Sequence, residues 1–234
     1  MSGAFSLRRP RPAGRLRPFM SRATVIEIVL VAVPVVLAIV LHEVAHGAVA
    51  YAFGDRTAAE AGRLTLNPVR HVDPVGTILL PGLLLLTPLL FGGRPMIFGW
   101  AKPVPVDPRR FRWPRPGMAA VAVAGPLTNL GLAAASACLL GAVPRHGGAA
   151  GMAVATVAAA SLQINCALAV FNLLPIPPLD GGRLLTAVVP RRVGRAIARV
   201  EGFAYVALLL VLFNSDVLSR LVRPVIRGML RWAA

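Results

Sequence analysis

"TVIEIVLVAVPVVLAIVLHEVAHGAVAYAF" (residues 24–53) is an almost unbroken apolar run, with "LHEVAHG" (41–47) near its end. As a helix it would be about 45 Å long, more than a bilayer's hydrocarbon core of about 30 Å requires. Pro34 predicts a kink within it. An ionisable side chain at mid-bilayer costs about 2.5–3.5 kcal/mol on insertion scales, so two histidines and a glutamate there need something to offset that cost. His42 and His46 are four residues apart and share one helix face. Neutral imidazoles at this spacing can fill two positions on a tetrahedral metal such as zinc, and Glu43 lies close enough to act on a water at that metal. The alternative is that all three are structural groups satisfied inside a helix bundle.

The rest of the chain agrees with a membrane setting. Of its 234 residues 56% are hydrophobic, and its mean hydropathy is +0.71, beyond what a soluble domain of ordinary composition shows. The formal charge of +16 is carried by an N-terminal cluster (Arg8, Arg9, Arg11, Arg15, Arg17, Arg22) and by groups between apolar runs, such as Arg109, Arg110, Arg112, Arg115 and Arg191, Arg192, Arg195, Arg199. Membrane proteins distribute topology signals and attraction to anionic headgroups in this way. No basic face interleaved with aromatics points to nucleic acid. Cys138 and Cys166 lie in apolar runs without CxxC spacing and are expected to pack as small residues.

Residues 1–23 are expected to form a basic, disordered tail. Alternation in "RLTLN" (63–67) and around "KPVPV" (102–106) suggests short strands, although the prolines forbid a central one. The run 77–91 holds Pro81 and Pro88 and is short for a span. Two full spans are expected at about 117–143 and 150–174, and a last apolar run at 202–213. Residues 216–234 place Arg220, Arg223, Arg227 and Arg231 at helical spacing, predicting an amphipathic interfacial helix interrupted near Pro224. The expected fold is an all-α polytopic membrane protein, a bundle of about five to six transmembrane or re-entrant helices with short strand-like membrane-associated segments. Its main domain is expected over 24–215.

A catalytic zinc needs a third protein ligand and an open position. The continuation H-E-x-x-H-x-x-G-x-x-H fails, because Val49 and Ala52 stand where Gly and His would be needed. Glu60 and Glu201 are poorly placed, Asp55 and Asp73 read as turn residues, and His71 reads as a loop group. Asp180 differs. It follows a long apolar helix, in a break made by Pro175, Pro177 and Pro178, where freed backbone can let a carboxylate turn inward. Asp180 is therefore the expected third ligand.

"HEVAHG" (42–47) together with "NLLPIPPLDGG" (172–182) resembles the site-2 protease family of intramembrane zinc metalloproteases. "GRLTLNP", "HVDPVGTI", "GWAKPVPV" and "AGPLTN" resemble its compact branch, which lacks appended domains. The resemblance implies one zinc per chain on His42, His46 and Asp180, with Glu43 as general base and acid. It implies that Asn172 holds the substrate backbone or the developing oxyanion, with Asn129 a second candidate for that role or for interhelical hydrogen bonding. It also implies single-span transmembrane substrates, such as membrane-tethered regulators or remnant signal peptides, cut in a bacterial-type cell membrane. An edge at "RLTLN" or "KPVPV" could clamp the unwound substrate by strand addition. A polytopic zinc-binding transporter and a non-catalytic membrane binding module are the competing readings.

Both metal-bearing segments must meet at one ion. If 24–53, 77–91, 117–143 and 150–174 all crossed the membrane, the two motifs would face opposite sides. The run 77–91 is therefore expected not to make a simple crossing.

Overall fold

A computed structural model describes residues 22–91, 99–144, 147–199, 202 and 215–233. Helix α1 covers Arg22–Ala52 and passes through Pro34. Its inward stripe answers the question its sequence poses. Pro34, Ala38, His42, His46 and Ala50 are buried at every fourth position, while Val29, Val33, Val36 and Leu37 on other faces are exposed. The histidines therefore occupy the helix face that meets other helices.

A short α2 (Thr57–Glu60) follows, then a 3₁₀ turn at Pro68–His71, a π turn at Pro74–Leu79 and helix α3 (Leu80–Phe91). Asp73 starts the π turn by accepting hydrogen bonds from Val75 N and Gly76 N. Helices α4 (Pro114–Ala142) and α5 (Gly148–Asn172) pack against each other and against α1. Pro114 and Pro116 fit the first turn of α4, where missing N–H groups cost nothing. Among the described residues three helices, Ile28–Ala52 within α1, α4 and α5, are long and apolar enough to cross a membrane.

Helix α4 is the centre of the bundle. Its buried face is lined by small residues (Gly117, Ala122, Gly125, Ala133, Ser136 and Ala137 among them), which lets backbones approach closely. Asn129 Nδ2 donates to Asn165 Oδ1 at 2.7 Å. Asn165 Nδ2 donates to Ser161 O at 2.8 Å, and Ser136 Oγ donates to Ser161 Oγ at 2.7 Å. A polar ladder thus joins α4 to α5 inside an otherwise apolar interface.

After α5 the chain breaks at the expected prolines and restarts as α6 (Asp180–Val188), α7 (Arg191–Arg199) and, further on, α8 (Ser215–Ala233). Gly181 and Gly182 are required at the break, since a Cβ on either would strike the backbone of Leu173–Leu174 or Ile176–Pro177. Cys166 is fully buried with Ala133, Ala137, Leu162 and Val222, as a small packing residue.

Three expectations are corrected. No strand forms among the described residues. Residues 63–67 are mostly bends. Residues 99–107 donate to unlike partners: Trp100 N to Gly76 O, Lys102 N to His71 O, Val104 N to Glu43 Oε2 and Asp107 N to Asp55 Oδ2. Pro103 and Pro105 remove the N–H groups a ladder on the other edge would need. Helix α8 runs unbroken through Pro224 and packs on α4 and α5 through Val222, Val225, Ile226 and Met229. The boundaries of the two long spans also shift by one to three residues, to α4 and α5 as given. The basic tail 1–21 and the apolar run 203–213 lie outside the described residues.

The crossing problem resolves in hydrogen bonds. Arg112 N donates to Phe53 O at 3.0 Å, so everything between α1 and α4 starts and ends at one place. Within it, Trp100 N donates to Gly76 O at 3.1 Å and Thr77 Oγ1 to Trp100 O at 2.8 Å. Gly76 and Thr77, ahead of α3, therefore lie beside Trp100, which comes after it. Helix α3, 12 residues long, extends only about 18 Å.

Candidate metal centre

His42 and His46 enter the site from the end of α1, and Asp180 from the first position of α6. All three are buried, at 7%, 6% and 6% exposure. The two Nε2 atoms are 3.0 Å apart, and Asp180 Oδ2 lies 3.1 Å from His42 Nε2 and 3.2 Å from His46 Nε2.

The outer nitrogens fix the protons. His46 Nδ1 lies 2.7 Å from Val121 O, which can only accept, so Nδ1 carries the hydrogen. His42 Nδ1 lies 2.5 Å from Asn129 Oδ1. The amide nitrogen of Asn129 is committed to Asn165 Oδ1 and Ala38 O, so its oxygen faces the ring and His42 Nδ1 donates as well. Both neutral imidazoles then turn lone pairs toward a carboxylate oxygen that has no hydrogen-bond donor of its own. Three acceptors facing one another repel unless a cation lies among them. Three ligand atoms of a tetrahedral zinc site stand about 3.3 Å apart, close to the triangle seen here. The donor set, two imidazoles and a carboxylate with each ring oriented from behind, suits zinc.

Glycine 125 completes the cradle. An ideal Cβ there would fall 2.5 Å from His42 Cε1, 2.5 Å from His46 Nε2 and 2.6 Å from His42 Nε2. Only a residue without a side chain lets α4 approach the imidazoles this closely.

A cavity of about 480 Å³ opens on the trio. Glu43 lines it, with Trp100, Pro103, Val104 and Val106 of the 99–107 segment opposite Leu168, Phe171 and Asn172. Val104 N donates to Glu43 Oε2 at 2.8 Å, so the segment holds the glutamate directly. Gly47 makes the approach possible, since a Cβ there would lie 2.6 Å from Leu64 Cδ2 and 2.9 Å from Val104 Cγ1. Asn172 donates to Leu168 O at 3.0 Å while lining the cavity. Asn129 does not line it. It lies fully buried behind His42, turned to the imidazole.

The remaining candidates lie elsewhere. Glu60 pairs with Arg110 at 2.9 Å. His71 Nε2 donates to Thr65 O at 2.9 Å, and Glu201 lies outside the described residues. Asp55 accepts bonds from Thr57 N, Thr57 Oγ1 and Asp107 N, tying two loops together. Burial works against its charge, but these bonds prevail and hold its carboxyl below the ordinary range. Nothing in the sequence signals the bonds from Val104 and Asp107, which join residues 61 and 52 positions apart. The run of small residues around "AGPLTN" was the visible trace of the Gly125 approach.

A protein of Bacillus subtilis (strain 168), named "Putative zinc metalloprotease YwhC", is 39% identical over 204 residues, covering 84% of this chain and 85% of that one. The profile of peptidase family M50 matches residues 142–214, the segment that carries Asp180. The chain belongs to peptidase family M50. Rip2 of Mycobacterium tuberculosis, with the same description, is 35% identical over 185 residues, covering 76% of this chain and 64% of its own length. Rip3 of that species is 37% identical over 115 residues, covering 49% and 26%. No solved structure matches the chain. As an M50 peptidase with three helices fit to cross a bilayer, it is an integral membrane zinc metalloprotease.

Proposed function

We propose that this metalloprotease cuts its substrates inside the membrane, within transmembrane helices of single-span proteins such as membrane-tethered regulators or remnant signal peptides, in a bacterial-type cell membrane. The observation that carries the reading is the convergence of three buried acceptor atoms, beside a glutamate and a mostly apolar cavity, at the ends of membrane-spanning helices. His42, His46 and Asp180 hold the zinc. Bound there, zinc supplies Lewis-acid activation of water and of the scissile carbonyl.

Glu43 takes the proton of the attacking water and returns it to the leaving amine. The Val104 N–H engages Oε2, which orients the carboxylate and leaves Oε1 for that proton. Asn172 presents its amide to the substrate backbone or the developing oxyanion. Asn129 acts through His42, whose tautomer it sets. A substrate helix must unwind before its carbonyls can reach the site. Residues 99–106 form the wall along which the opened segment lies, and their irregular backbone offers it hydrogen bonds.

The deciding experiment measures zinc content and cleavage of a transmembrane substrate together. Glu43→Gln is expected to keep zinc and lose cleavage, whereas cleavage retained by this variant would refute the assignment. Cleavage confined to soluble peptides would refute the substrate class.

A further inference from the structure

Helix α7 has no part in the site, yet its side chains are sorted sharply. On a helix of about 3.6 residues per turn, Arg191, Arg192, Arg195 and Arg199 fall within an arc of about 100°. All four are exposed, and none is in an ion pair among the described residues. Gly194, off that arc, is buried against α6, where a Cβ would lie 3.1 Å from Thr186 O. Val193, 46% exposed, and Ile197 lie on the side away from the arginines.

The depth of α7 is set by α4. Arg115, in the first turn of that span, donates through Nε to Ala187 O at 2.9 Å and through Nη2 to Val189 O. The α6–α7 junction is thus tied to the end of a membrane-crossing helix, where headgroups lie. A short helix at this level, with four unpaired guanidinium groups on one side and apolar side chains on the other, complements an anionic phospholipid surface.

We propose that the arginine face of α7 binds anionic phospholipid headgroups and thereby seats α6, the helix that begins with Asp180. The contact with lipid stands on the geometry of α7 alone. Only its consequence for Asp180 rests on the metal assignment above.

The test uses the full chain in vesicles of phosphatidylcholine, with and without about a third phosphatidylglycerol. A fluorophore attached through Val193→Cys, with the exposed Cys138 changed to Ala, reports contact with a headgroup-level quencher present in both membranes. Quenching is expected to be several-fold stronger with the anionic lipid and to weaken as salt is raised. Combined Arg191→Gln, Arg192→Gln, Arg195→Gln and Arg199→Gln is expected to abolish the difference, on the order of fivefold in docking per arginine. The four corresponding changes to Lys are expected to keep it. Equal quenching in both membranes, or a preference that survives the four Gln changes, would overturn the proposal. So would a loss of the preference in the Lys variant, since the charge would then be beside the point. Zinc content and cleavage by the same samples are read separately, so a failed lipid preference with both intact leaves the metalloprotease assignment standing.

Discussion

Gly125→Ala tests the metal centre without replacing a ligand. The added methyl would lie 2.5 Å from His46 Nε2 and 2.6 Å from His42 Nε2, against the roughly 3.5 Å at which non-bonded heavy atoms sit comfortably. The overlap is about 1 Å on each ring. Neither ring can withdraw freely, because His46 is tied to Val121 O and His42 to Asn129. Overpacking of this kind costs about 1–3 kcal/mol. Since the strain falls on the ligand nitrogens, zinc affinity should drop by on the order of 5- to 150-fold, at about 1.4 kcal/mol per factor of ten. The measurement is a competitive chelator titration of the purified protein in detergent. Gly131→Ala on the same helix is the control, because nothing lies within 4 Å of its Cβ position. Wild-type zinc affinity in Gly125→Ala would refute the geometry, and an equal loss in Gly131→Ala would show that the effect is not local.

Other consequences follow from contacts around the same site. Asn129→Ala frees the His42 tautomer and should lower zinc affinity about 10- to 100-fold, read by the same titration. Val104→Pro removes the N–H that holds Glu43 and should lower kcat by on the order of tenfold or more with zinc content unchanged. Val106→Pro, which leaves that bond intact, should reduce kcat less; equal losses would mean that substrate contact along the segment, not the glutamate, was disturbed. Asp55, whose carboxyl is held below its ordinary value, stabilises the fold above the unfolded-state pKa, and this contribution is lost as pH falls through the folded-state value. Detergent unfolding measured from about pH 5 down to pH 3 should therefore show a steeper loss in the wild type than in Asp55→Asn, and parallel curves would remove the assignment.

The parts of the site legible in the sequence were those encoded over short distances. The i, i+4 spacing of His42 and His46 fixes a shared face on any helix, and three prolines mark the break from which Asp180 turns inward. The need for both to meet one ion led to the expectation that 77–91 does not cross simply. What stayed hidden depends on contacts between distant segments. Alternation around "KPVPV" pointed to a strand edge that does not form. The pattern does not show that the acceptors along 99–107 are two side chains, Glu43 and Asp55, and two turns, so no ladder forms. Asn129 carried the chemistry of a substrate-binding amide, and only its position behind His42 reveals a different partner. Pro224 looked like a break because the sequence does not show the packing of α8 on α4 and α5.

The amides and hydroxyls of Asn129, Asn165, Ser161 and Ser136 can all find partners at one vertical alignment of α4 against α5, and Asn129 carries that alignment to His42. Sliding either helix by a single turn would strand polar groups in a medium that offers no replacement. The coordination geometry is thus keyed by a combination lock set deep among the helices. A lesion at Ser136 or Ser161, far from any ligand, would be felt first as an imidazole out of place.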